Sequence, residues 1–207
     1  MEREEAVQKI RELIGQDLRR LADEYGVTVF REGKKNKGWA GHVIERTLGL
    51  PLSSAQAPNF GTWELKTIPL KYLKNGSLTV KETMAITMID PYNVARTEFE
   101  NSHLFAKLRK AVIAARIWIS KQEESSILHS VTTFDLGNSE VYNQVRDDYN
   151  IARNAIISGG LDALKSEMGK YIQPRTKGPG GDPSHRTRAF YARTGFLKKF
   201  IFPELYS

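Results

Sequence analysis

Cysteine is missing altogether from the 207 residues. Its absence excludes disulfides, thiolate nucleophiles and cysteine-ligated zinc. Histidine is scarce, and His42, His103, His129 and His185 show no spacing that would hold zinc. No apolar run approaches the roughly 18 residues of a membrane span. The charged opening MEREEAVQKI lacks the apolar centre of a secretory signal, so a cytoplasmic protein without membrane contact is expected. Acids are the minority charge, 24 Asp and Glu against 31 Lys and Arg. The resulting net charge of +7 and a pI near 9.5 point to a polyanionic partner, nucleic acid first. Internal repeats and low-complexity tracts are also lacking. What is present is 40% apolar residues, enough for a core in one domain or one domain with two lobes.

The positive charge is unevenly placed. From Lys165 to the end, nine Lys and Arg face only Glu167, Asp182 and Glu204, and they alternate with Tyr171, Phe190, Tyr191 and Phe196. A second knot, Arg31, Lys34, Lys35 and Lys37, precedes Gly38-Trp39. Single lysines of this kind are ordinarily solvated surface, but clusters interleaved with aromatics favour phosphate binding.

Hydrophobic periodicity predicts one helix from Glu4 to Tyr25, ended by Gly26, and a second from Gly38 to Leu48, closed by Gly49 and Pro51. Residues 52–61 read as a loop. Strands are expected at Thr62–Ile68 and Glu82–Ile89, with a turn at Asn75-Gly76 between them. Core strands are expected at Ala111–Ser120 and Ile127–Phe134, and helices at Val141–Ile157 and Leu161–Met168. A short strand Tyr171–Pro174 leads into a Gly/Pro-rich loop at 176–185, and order returns from Arg188 to Phe202. Helices around a small mixed sheet make the class α/β or α+β.

The segment Glu64-Leu65-Lys66-Thr67-Ile68-Pro69 carries the most chemistry. On a strand, residues two apart share a face, so Glu64 and Lys66 point together while Leu65 packs behind. A carboxylate beside an ammonium suits metal-assisted phosphodiester hydrolysis: the carboxylate holds Mg²⁺ and the lysine orients or helps deprotonate the attacking water. Taken alone, Glu-x-Lys is equally the signature of an exposed cross-strand ion pair.

The surrounding segments resemble the MutH-like DNA endonucleases, the nicking enzymes of methyl-directed mismatch repair and their type II restriction relatives. NKGWAGHVIE (Asn36–Glu45) is similar to that family's Lys-Gly-Trp-x-Gly helix, and SHLFAKLRK (Ser102–Lys110) to its Ser-His-x-x-x-Lys-Leu-Lys helix. GKYIQPRTKG (Gly169–Gly178) resembles its basic DNA-reaching strand, and GFLKK (Gly195–Lys199) its C-terminal aromatic-Leu-Lys-Lys element. Together with ELKTIP these pieces keep the family's order from about residue 36 to 200. The resemblance implies the PD-(D/E)xK restriction-endonuclease-like fold, with a mixed central sheet, flanking helices and two lobes around a DNA cleft. It places a catalytic lobe at about 1–135 and a DNA-reading lobe at about 136–207. Glu64 and Lys66 become active-site residues, with Glu45 and Lys107 supplied by helices. Arg175, Lys177 and Phe196 become major-groove contacts, and Lys35, Lys37, Arg186, Arg188, Lys198 and Lys199 phosphate contacts. The implied cofactor is Mg²⁺. The implied partners are duplex DNA and a MutL-type mismatch-repair protein, and a monomer is expected in solution.

Two departures stand out. The family's second metal-binding aspartate, usually followed by Phe, is replaced here by Asn59 before Phe60, and no acid lies between Glu45 and Glu64. Asn is nearly isosteric with Asp but offers only a neutral oxygen, so the expected metal pair Asn59 and Glu64 would bind Mg²⁺ weakly and cleavage would suffer. Either the residue was changed so that DNA binds uncut, or the chain is a natural DNA-binding relative with little activity. Retention of Glu45, Glu64, Lys66 and Lys107 favours the first. Asp90 is a remote substitute. The four-residue gap between Asn59 and Glu64 and the Ala-Pro-Asn-Phe context look more like the MvaI/BcnI-type restriction enzymes. Phe196 also stands where the mismatch-repair enzyme carries a methyl-sensing tyrosine. The expected function is Mg²⁺-dependent, sequence-specific hydrolysis of duplex DNA, leaving 5′-phosphate ends. The alternative is a non-catalytic DNA-binding module that assists a partner protein.

Overall fold

The computed structural model describes residues 1–49, 58, 60–177 and 187–206. Along the chain come α1 (Arg3–Arg11), α2 (Leu18–Glu24), the hairpin β1 (Phe30–Arg31) and β2 (Lys34–Lys35), and α3 (Trp39–Thr47). Then follow β3 (Glu64–Tyr72), β4 (Leu78–Val80), β5 (Met84–Met88), α4 (Pro91–Arg96), α5 (His103–Leu108), β6 (Lys110–Ile117) and β7 (Leu128–Asp135). The chain ends with α6 (Ser139–Gly159), β8 (Ile172–Lys177), β9 (Thr187–Ala192) and α7 (Thr194–Phe196), continued by a π-helical turn, Leu197–Ile201. Among the described residues no helix is long and apolar enough to cross a membrane. Asn59, Arg186, and most of the two expected loops at 52–61 and 176–185 lie outside the described residues.

The described residues form two compact units, one from 1–49, 60–82 and 111–133, the other from 83–110, 134–177 and 187–206. Each unit is assembled from separate stretches of the chain, because β5 pairs with β9 and takes its neighbours into the second unit.

The first unit is a four-stranded mixed sheet, ordered β4-β3-β6-β7, in which β3 runs antiparallel to β4 and parallel to β6. This gives the mixed α/β class expected. Leu65, Val112, Ala114 and Leu128 of the sheet share one core with Ala6, Ile10, Leu18, Ala40, Val43 and Ile44 of the helices. Pro69 sits in β3 without disrupting it. Pairing to β4 begins only at Leu70, so the missing N–H falls at the end of that ladder. The Asn75-Gly76 turn forms as read, with Gly76 at φ +82° and Asn75 Oδ1 accepting from Ser77 N at 3.1 Å. It joins β3 to β4, however, and the strand expected at 82–89 pairs in the other sheet.

The long N-terminal helix is two helices. Gly15 takes φ +87° and donates its N–H to Leu128 O at 2.9 Å, which pulls the chain onto β7. The Asp17 carboxylate then restarts the helix by accepting from Arg19 N at 2.9 Å. Ile14, at an apolar position within the single helix expected from Glu4 to Tyr25, is 45% exposed as a result.

The second unit carries the antiparallel sheet β5-β9-β8 and the 21-residue α6. Asn138 caps α6 by accepting from Glu140 N and Val141 N. Its stripe Val141, Val145, Tyr149, Ala152 and Ile156 is buried. Tyr149 lies between Phe99 and Phe190, its hydroxyl donates to Thr97 O at 2.9 Å, and burial pushes its pKa up to about 12. The helix expected at 161–168 shrinks to a single 3-10 turn, Gly160–Ala163, because Gly160 at φ +67° ends α6.

Candidate functional site

The period-two geometry of β3 puts Glu64 and Lys66 on one face, as expected, and the two side chains meet. Lys66 Nζ lies 2.7 Å from Glu64 Oε1, with the glutamate side chain 1% exposed and the lysine 18%. Their register partners on β6, Ala111 and Ile113, are buried apolar residues, so the pair has a low-dielectric flank on the sheet. Leu65 and Thr67 occupy the opposite face, where α3 packs. A Cβ placed on Gly41 would stand 3.9 Å from Thr67 Oγ1.

Local chemistry fixes how α3 begins. Asn36 Oδ1 accepts from Gly38 N at 3.1 Å, Asn36 Nδ2 donates to Thr28 O at 3.0 Å, and Trp39 N donates to Asn36 O at 3.2 Å. The Asn-Lys-Gly-Trp run is thus a tight turn that launches the helix. The pKa of His42 is lowered by burial and by the nearby Arg46. Trp39 is fully buried, with the Arg116 guanidinium 5.0 Å from its ring, so it is a packing residue. Glu45, also buried, lies one turn beyond Gly41 on α3 and so comes from a different element than the Glu64–Lys66 pair. The approach to β3 is held by Phe60, stacked on Trp63 with centroids 3.7 Å apart, and by Phe60 N donating to Trp63 O. This stack fixes the residue that follows Asn59.

Among the described residues no group of three or more His, Asp or Glu forms a ready metal cage. The donor chemistry at Glu64 nonetheless fits Mg²⁺, a hard cation that prefers carboxylate oxygen and takes only one or two carboxylates beside water and phosphate. Asp90 is otherwise employed, since its carboxylate caps α4 by accepting from Tyr92 N and Asn93 N. Lys107 lies half-buried on α5, in the second unit.

The expected DNA contacts among the described residues are not all presented alike. Arg175 and Lys177 are exposed on β8 and, two apart, share a face. Arg175 Nη1 donates to Thr83 Oγ1 at 2.8 Å and its guanidinium lies 5.5 Å from the Tyr191 ring. Arg188 pairs opposite Thr176 and donates to its hydroxyl, which puts it on the other face of the sheet. Lys37 and Lys199 are exposed, while Lys198 is partly covered and lies 4.8 Å from the Tyr206 ring. The other two do not present themselves as expected. Phe196 is 0% exposed, ringed by Phe134, Tyr171 and Phe200 at 5.4 to 5.7 Å, and offers no surface to a base. The ammonium of Lys35 is engaged by the buried Glu123 rather than presented for a phosphate.

Two buried acids escaped the reading of the sequence. Glu123 is 0% exposed and accepts a fork from Arg116 at 2.7 and 3.1 Å, besides Lys35. Burial raises its pKa, but these charged donors outweigh that and leave it lowered. Arg116 also reaches Ser126 Oγ at 2.8 Å, and Ser126 N donates to Asp17, which ties β6, the following loop and the start of α2 together. Asp148 on α6 accepts from Lys170 N, Tyr171 N and Ile172 N at 2.7, 2.7 and 2.8 Å, and from Gln144 Nε2 at 3.0 Å. It thereby fixes the start of the strand that carries Arg175. Gly169 is obligatory there, since at φ +75° a Cβ would stand 1.9 Å from Ile172 O. The available signal was an acid inside the apolar stripe of α6.

Residues 48–148 match the family described as DNA mismatch repair enzyme MutH, a span that includes Glu64, Lys66 and Lys107 and ends before β8. The MutH protein of Vibrio parahaemolyticus is 26% identical, over 95% of this chain and 92% of its own length. That of Haemophilus ducreyi is 29% identical, over 84% of this chain and 76% of its own. The type II restriction enzyme Sau3AI of Staphylococcus aureus is 25% identical over 81% of this chain, which spans 37% of that enzyme's length. By sequence, then, this chain is similar to the DNA mismatch repair MutH proteins and to a type II restriction enzyme.

Proposed function

We propose that this chain is a divalent-metal-dependent DNA endonuclease of the PD-(D/E)xK type, acting on duplex DNA at a short specific site. The observation that carries the reading is the Glu64–Lys66 ion pair on one face of β3, in a chain whose relatives are named as mismatch-repair and restriction enzymes. Glu64 and Asn59 would hold Mg²⁺, which when bound supplies positive charge at the scissile phosphate. Lys66, an ammonium already held by a carboxylate, is a donor without a lone pair. It therefore orients the attacking water and stabilises charge growing on the phosphate oxygens, rather than removing a proton. Water adds to phosphorus, the bond to O3′ breaks, and a 5′-phosphate and a 3′-hydroxyl result. The resemblance adds Glu45 and Lys107 as supporting groups. Arg175 and Lys177 would read base edges in the major groove, and Lys37, Arg186, Arg188, Lys198 and Lys199 would grip phosphates without specifying sequence.

Asn59 favours a second reading, a DNA-binding module that assists a partner and cuts poorly or not at all. A neutral amide in place of a carboxylate weakens Mg²⁺ binding while leaving the basic surface intact. The test is incubation of supercoiled plasmid with Mg²⁺ and either the native chain or its Asn59→Asp variant, with the ends analysed. Cutting by the variant to ligatable 5′-phosphate ends supports the nuclease. Tight duplex binding with no cutting by either protein supports the module. Dependence on a MutL-type protein and on hemimethylated sites would then indicate mismatch repair, and unaided double-strand cleavage would indicate restriction.

A further inference from the structure

Beside the candidate reading strand, the second unit holds a cavity of about 430 Å³ lined by Lys170, Arg193 and Lys199 together with Thr83, Gln173 and Thr194. Among the described residues no acid contributes to its lining, and Tyr171 supplies apolar surface. The acids that touch its lining residues are the buried Asp148, which accepts the main-chain N–H of Lys170 and of Tyr171 at 2.7 Å, and the exposed Glu140, 4.0 Å from Lys199. Arg193 is fixed in place by three main-chain carbonyls: its Nε donates to Gly169 O, and its Nη2 to Ser166 O and Met168 O, at 2.8 to 3.1 Å. Carbonyls hold the guanidinium without cancelling its charge, so a preorganised positive field stays in the cavity. Gln173 stands two residues before Arg175 on the same face of β8, and Thr83 accepts the hydrogen bond from Arg175. The cavity and the candidate reader therefore share a wall.

We infer that this cavity is a phosphoryl-binding pocket that receives a backbone phosphate, with its sugar, from the DNA strand engaged by Arg175. Three cations, two hydroxyls and an amide match the several acceptor oxygens and the negative charge of a phosphodiester. The volume leaves room for the deoxyribose against the Tyr171 ring. The DNA source rests on the proposed function, whereas the phosphoryl chemistry of the pocket does not.

Two arms of one experiment separate these layers, using the full chain and its Lys170→Gln/Lys199→Gln variant. In the first, inorganic phosphate is titrated at low salt while backbone amide resonances are followed by NMR. Saturable shifts at Thr194 and Gly195, lost in the variant, are expected. No saturation in the native chain overturns the pocket. In the second, duplexes with a single neutral methylphosphonate at successive positions are bound to both proteins. One position is expected to cost the native chain affinity and the variant nothing, and the variant's salt slope should be shallower by about one. Native duplex binding with no such coupled position overturns the DNA backbone as the source. Saturable phosphate binding without any duplex binding leaves the pocket standing and removes the proposed function instead.

Discussion

Glu64 and Glu123 lie in the same unit, 1% and 0% exposed, and each meets a cation, yet their surroundings differ in kind. Glu123 is gripped by the rigid fork of Arg116, whose side chain is itself only 6% exposed, and by Lys35. Its backbone is held at φ +51°, a conformation that non-glycine residues adopt at a cost of about 1–3 kcal/mol. Glu64 faces a lysine on a flexible stem that keeps 18% of its surface. A planar fork immobilises a carboxylate. A single ammonium on four methylenes is able to turn towards an arriving phosphate. Burial of an acid therefore does not mark a site by itself, and the mobility and accessibility of its partner cation separate the two.

The largest effect that sharpens this contrast is on stability. Glu123→Ala strands Arg116 and Lys35 beside an empty site and should destabilise the protein by about 3–5 kcal/mol in a urea titration. Glu64→Gln keeps a hydrogen-bonding amide beside the partly exposed Lys66 and should cost clearly less. On activity the order reverses. Within the Asn59→Asp background, Lys66→Ala should lower cleavage by about 10²–10³-fold in single-turnover assays with little change in melting. Arg175→Ala is expected to weaken binding of the preferred duplex by about 1–3 kcal/mol and to relax the preference, measured by competition among sequences. Loss of affinity without loss of preference would move Arg175 among the phosphate contacts.

The smallest effect is the pH dependence. The Glu123 carboxyl lies below its ordinary value of 4.5 in the folded chain, so its contribution to stability is complete above that value. The contribution is lost as the pH falls through the lower folded pKa, because the unfolded state then binds the proton first. The stability difference between the native chain and Glu123→Gln should accordingly be flat from pH 8 to about 5 and shrink below that. A difference that grew on acidification would contradict the ion-pair account of Glu123.

What could be read from the sequence was what depends on neighbours in the chain. The Glu64–Lys66 pair follows from strand periodicity, α3 from its apolar spacing and the Asn75-Gly76 turn from local geometry. The features that escaped depend on partners distant in sequence. Gly15 and Asp17 break the N-terminal helix because Leu128 and Ser126 offer main-chain partners across more than a hundred residues. The strand at Met84–Met88 was legible, but its pairing with Thr187–Ala192, about a hundred residues away, was not. Phe196 sits in a basic, aromatic-rich tail that reads as surface, and only the packing of Phe134 and Tyr171 around it places it in the core. The carboxylate of Asp148 fixes the strand that carries Arg175 through main-chain partners more than twenty residues away.

The central claim is that Glu64 serves chemistry while Glu123 serves the fold. Its most direct test measures plasmid cleavage per folded molecule, alongside thermal melting, for Asn59→Asp and for the same protein carrying in addition either Glu64→Gln or Glu123→Gln. The account predicts that Glu64→Gln abolishes cutting at nearly unchanged melting temperature, and that Glu123→Gln lowers the melting temperature while the folded fraction still cuts. Full cleavage by the Glu64→Gln protein, or loss of cleavage confined to the Glu123→Gln protein, would contradict it.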